Sequence, residues 1–145
     1  MINCFDGEFA FLSNFYTSPF KDPETGTTFP TVEHYFQANK ADGMRDYLAI
    51  ATASTPGQAK RLGRRCTLRY DWESVKIEVM RKGLRLKFAD PALKSKLLAT
   101  GEEELIEGNY WNDTFWGVCR GKGQNNLGKL LMELREELKN MEENK

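Results

Sequence analysis

The chain has 145 residues, a length that suits one domain of ordinary size and is too short for two substantial ones. Lysine plus arginine and aspartate plus glutamate each number 21, so the formal net charge is zero. A neutral chain has no overall field that would draw it onto duplex nucleic acid or an anionic membrane, and an anionic ligand must be held by a local site. We predict one domain over residues 1–145, with a C-terminal tail that frays from about residue 140.

The cysteine and histidine content argues against two kinds of site. The three cysteines, Cys4, Cys66 and Cys119, are odd in number and far apart, they form no CxxC pair, and the chain has one histidine. This pattern is typical of neither a disulfide framework nor a structural zinc site, and we predict no metal and no cofactor. The N-terminus has no apolar stretch of signal-peptide length, and no later segment has transmembrane length. We therefore expect a cytoplasmic protein without membrane contact, whose oligomeric state the sequence leaves open.

The first thirty residues are predicted to form short strands joined by turns. Residues 2–29 are rich in phenylalanine, are interrupted by glycine and proline, and lack helical periodicity. The PETG run at 23–26 predicts a turn between SPFKD and TTFP, and hence a short antiparallel pair of strands. Thr31, directly after Pro30, is suited to cap a helix that runs to about Lys40.

Helices are predicted for most of the remaining chain, from start and stop signals and from apolar stripes. They are expected over 44–53, 56–65, 71–89, 92–100 and from 127 to about 140. The apolar face of the 71–89 helix is predicted from Ile77, Met80, Leu84 and Phe88, and that of the last helix from Leu127, Leu130, Leu131, Leu134 and Leu138. A short strand is expected at 104–108 and an irregular loop at 109–125. The predicted fold class is α+β and predominantly helical, with a short antiparallel strand element near the N-terminus.

Three polar residues share one face of the helix that follows Thr31. Glu33, Gln37 and Lys40 are spaced by four and three residues, and Glu33 and Lys40 lie about 10 Å apart along the helix axis. This span suits one extended ligand with a hydroxylated part near Glu33 and a phosphate near Lys40. An ordinary solvated helix face explains the same spacing. His34, the single histidine, is expected to have a structural role.

The segment 108–128 has a composition that a surface loop does not need, with five of the twelve glycines and two of the three tryptophans. Glycine lets a backbone approach a ligand, and aromatic faces stack on a base. A packed loop with its aromatics in the core is the alternative, and it is expected for Phe115. Asp113 lies among four aromatics, which would desolvate its carboxyl and favour proton transfer near neutral pH. Because cleavage of a sugar–nitrogen bond passes through an oxocarbenium-like state, Glu33 and Asp113 are a candidate pair of carboxylates.

Six sequence blocks, taken in order, resemble the NADAR family, also called YbiA-like. They are FLSNFY (11–16), TVEHYFQANK (31–40), DWESVKIEVM (71–80), KFADPALKSKLLATG (87–101), LIEGNYWNDTFWG (105–117) and GKGQNNLGKLLMELR (121–135). The most specific parts are the E-H-Y-F-Q-A-x-K helix and D-x-x-W-G followed by G-x-N-x-L-G-K-L-L-M. The resemblance covers nearly the whole chain and implies a single YbiA-like domain.

The resemblance implies an N-glycosidase that hydrolyses the bond between a ribose and an attached base or amine. The implied partner is a small ribosyl or ADP-ribosyl substrate, either a phosphoribosylamino-pyrimidine intermediate of riboflavin synthesis or an ADP-ribose derivative. The second class includes ADP-ribosylated guanine and thereby ADP-ribosylated nucleic acid. By the same resemblance, Glu33 and Asp113 are the catalytic carboxylates, and no metal takes part.

The resemblance also implies a set of substrate-binding residues: Ser13 and Asn14 at the ribose, Lys40 at a phosphate or ribose, Trp72 and Trp116 at the base, together with Gly117 and Asn125. Two of these have structural alternatives, because Trp72 would also serve as a buried aromatic at a helix start and Asn125 would also hold its loop in shape. Cys119 is not expected to be a nucleophile.

Two other functions stay open, namely a non-catalytic module that binds ADP-ribose or NAD and a purely structural protein.

Overall fold

The computed structural model describes residues 1–145, which group into two compact units. One unit is Asn14–Lys87, and the other combines Met1–Ser13 with Phe88–Lys145. The fold is α+β and predominantly helical, as predicted, with six α-helices and two pairs of very short strands. The single domain predicted over residues 1–145 stays a prediction. None of the helices combines the length and the apolar character needed to cross a lipid bilayer.

The unit Asn14–Lys87 holds one strand pair and four helices. They are β1 (Phe20–Lys21), β2 (Thr28–Phe29), α1 (Val32–Asn39), α2 (Met44–Ala51), α3 (Pro56–Arg65) and α4 (Trp72–Lys87). The two strands are antiparallel, with Phe20 opposite Phe29. The PETG turn that joins them has Gly26 at a φ of 76°, a conformation that glycine adopts without strain. The predicted strand element near the N-terminus is therefore confirmed.

Helix α1 begins where the sequence predicts, because Thr31 has extended backbone and its side chain accepts a hydrogen bond from the His34 N–H. It contacts α2, α3 and α4. Its approach to α4 is close, since a Cβ on Gly83 would lie 2.8 Å from the Tyr35 ring. The first helix is thus the centre of its unit.

Aromatic side chains dominate the core around α1. Phe29 is fully buried and meets Tyr35 edge to face, with ring centroids 5.2 Å apart. Ile50 of α2 and Ala59 of α3 belong to the same buried cluster. The prediction for Ile77 is wrong, because this residue is 39% exposed whereas the other three predicted face residues are buried. Ile77 lies on α4 three residues before buried Met80, and no neighbouring element covers it enough to bury it.

The second unit holds a 3₁₀ helix (Gly7–Leu12), α5 (Pro91–Ala99), β3 (Gly108–Asn109), β4 (Val118–Cys119) and α6 (Asn126–Glu143). The 3₁₀ helix corrects the prediction of strands throughout 2–29. The strand predicted at 104–108 lies later, at 108–109, although Leu105 makes an isolated bridge with Ile2. The loop predicted over 109–125 contains β4, which pairs with β3 in parallel.

The closing helix α6 carries the predicted leucine stripe, all of which is buried: Leu127, Leu130, Leu131, Leu134 and Leu138. Arg135 is also buried and donates hydrogen bonds from Nη1 to Thr100 Oγ1 at 2.9 Å and to the Glu103 carbonyl at 2.8 Å. These bonds tie α6 to the chain that follows α5. Helical backbone continues to Glu143, and the predicted fraying of the tail stays a prediction.

Candidate functional site

The polar face of α1 is buried, and the solvated-face alternative is therefore wrong. Glu33 is 8% exposed and Gln37 is 6% exposed. Helix α3 covers this face at Gly63, where a Cβ would lie 1.9 Å from Gln37 Oε1 and 3.1 Å from Lys40 Cε. Only a residue without a side chain permits such an approach. Burial of a carboxylate is costly unless polar groups surround it, so this face is a specialised environment.

Lys40, at the C-terminal end of this face, is half-buried. Burial lowers the pKa of its ammonium group, and the neighbouring Cys66 and Glu33 oppose that shift. Glu33 therefore acts electrostatically on Lys40 within the same unit. The face offers a carboxylate at one end and a cation at the other, as the spacing of the sequence predicts.

Asn14 lies beside the start of α1, because its carbonyl accepts a hydrogen bond from the Glu33 N–H at 3.0 Å. Its side-chain Nδ2 contacts Met80 Sδ at 3.5 Å, whereas its Oδ1 is buried without a hydrogen-bond partner. Gln37 Oε1 is a second buried acceptor of the same kind. Buried acceptors without donors cost free energy, and hydroxyl groups of a ligand would relieve that cost. The spacing of the sequence places Gln37 on this face, but Gln37 is not among the predicted binding residues.

Two residues of this unit have structural roles that their positions explain. Trp72, the first residue of α4, is 6% exposed and packs on Phe36 with ring centroids 5.0 Å apart. This geometry favours the buried-aromatic alternative for Trp72, and its contact with a base stays a prediction. His34 is buried, with Nδ1 2.8 Å from Thr31 Oγ1 and Nε2 2.9 Å from the Ala53 carbonyl, as expected for a structural histidine.

Asp113, in the other unit, is half-buried and its carboxylate is oriented by the chain that follows it. Its Oδ1 accepts hydrogen bonds from the N–H groups of Phe115 at 3.2 Å and Trp116 at 2.9 Å. Asn109 holds the main chain of Asp113 from the other side, since its Oδ1 accepts from the Asp113 N–H and its Nδ2 donates to the Asp113 carbonyl. Oδ2 accepts no hydrogen bond from the protein, so it is the oxygen that a substrate or water can approach. Asn109 carried no sequence signal beyond its place at the start of the glycine-rich segment.

The remaining predicted residues of this unit shape the same loop. Trp116 is half-buried and meets Phe115 edge to face at 4.8 Å. A Cβ on Gly117 would lie 1.8 Å from Glu107 Oε2, so glycine is needed there. Phe115 is half-buried, which agrees only in part with its expected place in the core.

Asn125 holds the loop through both ends of its side-chain amide. Its Oδ1 accepts from the Glu107 N–H and its Nδ2 donates to the Leu105 carbonyl, both at 2.9 Å, while its backbone has a φ of 53°. These bonds favour the loop-holding alternative over contact with the substrate. Ser13 ends the 3₁₀ helix, with its N–H donating to the Ala10 carbonyl.

The structure thus groups the predicted site residues within each unit. Asn14, Glu33, Lys40 and Trp72 belong to the unit built around α1, and Ser13, Asp113, Trp116, Gly117 and Asn125 belong to the other. No group of three or more His, Cys, Asp or Glu side chains is arranged to hold a metal ion.

Comparison with known proteins shows which family this chain resembles. The model of the NADAR domain family matches residues 4–139. N-glycosidase YbiA of Escherichia coli strain K12 is 49% identical over 131 residues, which cover 88% of this chain and 80% of the relative. An N-glycosidase of Nostoc punctiforme is 45% identical over 79% of this chain and 78% of its own length. A riboflavin biosynthesis protein of Vibrio vulnificus is 42% identical over 92% of this chain but only 36% of its own length.

The solved NMR structure of E. coli YbiA is also similar, with a TM-score of 0.86 and 44% identity, covering 98% of this chain and 87% of that one. Relatives named N-glycosidase are 45–49% identical over most of the chain, and this supports glycosidase activity for the chain itself. On these matches, the chain belongs to the NADAR family.

Proposed function

We propose that this enzyme hydrolyses the N-glycosidic bond of ADP-ribose derivatives, with ADP-ribosylated guanine as the leading substrate and Glu33 and Asp113 as the catalytic carboxylates. The observation that carries the proposal is the buried polar face of α1, where Glu33 and Gln37 are less than one-tenth exposed. This face combines a buried carboxylate, buried acceptors and the half-buried ammonium group of Lys40. It matches a ligand that carries hydroxyl groups and phosphate.

At this face, each polar group has a counterpart in an ADP-ribosyl ligand. The ribose hydroxyls are donors that suit the carboxylate of Glu33 and the buried acceptors Asn14 Oδ1 and Gln37 Oε1. The diphosphate suits Lys40, whose position about 10 Å along the helix from Glu33 matches the length of such a ligand. The face therefore supports binding of a phosphorylated ribosyl compound as a class.

Asp113 is suited to the chemical step. During hydrolysis the bond from ribose C1′ to nitrogen breaks, water oxygen bonds to C1′, and the leaving nitrogen gains a proton. Positive charge develops on the ribose before water adds, and a carboxylate stabilises that charge or accepts a proton from the water. The two hydrogen bonds to Asp113 Oδ1 fix the direction of the carboxylate, and Oδ2 stays accessible for this role. Glu33 then holds the ribose hydroxyls or shares the proton transfer.

A phosphoribosylamino-pyrimidine is the second candidate substrate. It is favoured by the Vibrio vulnificus relative, which is named as a riboflavin biosynthesis protein. The chain spans only 36% of that relative's length, so the name describes a longer protein. Both substrate classes offer ribose and phosphate to the same face of α1, and a direct comparison of the two decides between them.

The test uses chromatography to measure release of guanosine from ADP-ribosylated guanosine and release of the aminopyrimidine from a phosphoribosylamino-pyrimidine. We expect Glu33→Gln and Asp113→Asn each to lower kcat by roughly 100- to 10,000-fold, the usual contribution of a positioned acid or base. Glu136→Gln, which alters an exposed carboxylate on α6, is the matched control and should keep full activity. Binding of ADP-ribose by the parent protein without release from either substrate would instead support the non-catalytic module.

A further inference from the structure

Arg69 lies in the short segment between α3 and α4, and its main chain connects two helices of the unit built around α1. Its N–H donates to the Lys40 carbonyl at 2.9 Å, and its own carbonyl accepts a hydrogen bond from the Trp72 N–H at 3.2 Å. Lys40 directly follows α1, and Trp72 is the first residue of α4. Arg69 therefore bonds to the end of one helix and to the beginning of another.

The main chain next to Arg69 extends this connection. Ala41 and Leu68 form an isolated antiparallel bridge. Beyond that bridge, the Asp42 N–H donates to the Thr67 carbonyl at 2.8 Å. The chain before α2 and the chain before α4 thus pair like two very short strands, and this pairing fixes the register of Arg69 against the end of α1.

The guanidinium group of Arg69 adds three side-chain hydrogen bonds. Nε and Nη2 donate to the two carboxylate oxygens of Asp71 at 2.6 and 3.0 Å, and Nη1 donates to the Asn39 carbonyl at 3.4 Å. Asn39 is the last residue of α1, where carbonyl groups lack partners within the helix and a cation is favourable. The side chain of Arg69 therefore caps α1 while it forms a bidentate ion pair with Asp71.

Asp71 carries the connection into α4. Its carbonyl accepts hydrogen bonds from the N–H groups of Ser74 and Val75 at 3.0 and 3.2 Å, so it belongs to the first turn of that helix. The hydrogen bonds from Arg69 hold the pKa of Asp71 below its usual range, and the pair is therefore ionised at neutral pH. Both side chains are only partly exposed. The ion pair thus joins the start of α4 to the end of α1.

We propose that Arg69 is a positioning residue that holds Lys40 in place at the end of the polar face of α1. The inference rests on the proposed function, in which Lys40 binds phosphate. Helix ends fray unless other groups bond to them, and the carbonyl groups of both Asn39 and Lys40 accept hydrogen bonds from Arg69. Loss of Arg69 would free the turn from which the Lys40 ammonium group extends, and a displaced ammonium group aligns less well with a phosphate.

Direct contact of Arg69 with phosphate is a different role, and the geometry argues against it. All three nitrogens of the guanidinium group already donate to protein acceptors. The carboxylate of Asp71 also offsets the charge of Arg69, and a phosphate would have to compete with that carboxylate. This arrangement suits a group that fixes the backbone, whereas Lys40 supplies the charge for the ligand.

Isothermal titration calorimetry with ADP-ribose tests the positioning role. We expect Arg69→Met to weaken binding roughly 5- to 50-fold, less than removal of the Lys40 ammonium group does. Arg69→Lys keeps a cation but cannot form the bidentate pair, so its loss should be smaller, and it carries the test should Arg69→Met fail to fold. Arg45→Met, at an exposed position of α2, is the matched control. Adenosine has no phosphate and should bind all variants equally; a similar loss for adenosine would overturn the proposal.

A double-mutant cycle shows whether Arg69 acts through Lys40. In the Lys40→Gln background, Arg69→Met should change the affinity for ADP-ribose less than about twofold, because the group that it positions is already gone. Asp71→Asn alone should weaken binding, because it loosens Arg69. An undiminished loss in the Lys40→Gln background, or tighter binding by Asp71→Asn, would contradict the positioning role and assign Arg69 to the phosphate itself.

Steady-state kinetics separate this proposal from the proposed function. Arg69→Met should raise KM for release of guanosine from ADP-ribosylated guanosine and leave kcat nearly unchanged, because the phosphate is bound alike in the ground state and the transition state. A parental KM for this variant would contradict the positioning role and leave the glycosidase activity in place. Absence of release from both substrate classes by the parent protein would contradict the proposed function, and the binding measurements would still decide the role of Arg69.

Discussion

The side chain of Asn109 brackets the main chain of Asp113, with Nδ2 donating to the Asp113 carbonyl at 2.8 Å and Oδ1 accepting from its N–H at 3.1 Å. The carboxylate of Asp113 is then directed by two further N–H groups of its own loop. Asn109 thus sets the position of Asp113, and the loop sets its direction.

We therefore expect Asn109 to be a positioning residue. Asn109→Ala removes both bonds, and because a misplacement of about 1 Å can lower a rate by roughly 100-fold, kcat should fall by about 10- to 100-fold. KM should change little, since Asn109 itself is not expected to touch the substrate. Steady-state kinetics on ADP-ribosylated guanosine measure kcat and KM separately. Asn140→Ala on exposed α6 surface is the control, and a large rise in KM with unchanged kcat would contradict the positioning role.

The close approach of α3 to α1 predicts opposite effects for two glycines of α3. Gly63→Ala should destabilise the protein by about 1–3 kcal/mol, the usual cost of overpacking, because its Cβ would lie 1.9 Å from Gln37 Oε1. Gly57→Ala should stabilise it by about 0.4–1 kcal/mol, since its nearest neighbours would be 3.9 Å away and alanine restricts the unfolded chain. Urea unfolding of both variants measures the free energies. If both substitutions changed the free energy of unfolding in the same direction, the close contact of α3 with the polar face would be contradicted.

Lys40 is expected to bind phosphate. Lys40→Gln removes the ammonium group, and loss of one charge-assisted hydrogen bond of about 1.5–3 kcal/mol corresponds to roughly 10- to 150-fold weaker binding of ADP-ribose. Adenosine, which carries no phosphate, should bind the variant and the parent equally. Isothermal titration calorimetry with both ligands gives the comparison, and Lys139→Gln is the exposed-lysine control. A similar loss for adenosine would assign Lys40 to ribose or to structure instead.

Lys87, the last residue of α4, predicts a pH dependence of stability. Its side chain is buried, with Nζ 5.6 Å from the centre of the Tyr16 ring, and burial lowers the pKa of Lys87 from 10.5 to about 7. Between these two pH values the unfolded chain binds a proton that the folded protein does not, so this residue makes the free energy of unfolding rise with pH. The rise should be about 1 kcal/mol per pH unit from about pH 7 upward, and the gain is lost as pH falls to 7.

The variant Lys87→Met removes this ionisation and should flatten the pH profile. Urea unfolding at several pH values between 7 and 9 gives the slope for the parent and the variant. Lys139→Met, an exposed lysine on α6, should keep the parental slope. Equal slopes for the parent and Lys87→Met would mean that Lys87 keeps its proton when folded.

Local sequence signals determined most helix boundaries in this protein. Thr31 and Thr55 cap helices by accepting hydrogen bonds from N–H groups three residues ahead, Asp90 does the same before Pro91, and leucines at spacings of three and four mark α6. Each signal acts within one or two helical turns, so the sequence contains all that is needed to read it. The family resemblance rested likewise on contiguous blocks and proposed Glu33 and Asp113 from them.

Only the tertiary structure decided whether the polar face of α1 is solvated or buried, since this depends on Gly63, which lies more than twenty residues away. Tertiary packing also decided the exposure of Ile77 and the parallel pairing of β3 with β4. The same holds for the hydrogen bonds of Asn109 and Asn125. Periodicity tells which residues share a face of an element, but burial depends on what packs against that face. Spacing alone therefore placed Glu33, Gln37 and Lys40 on one line, and the packing of Gly63 of α3 against Gln37 and Lys40 contributes to the burial of that face.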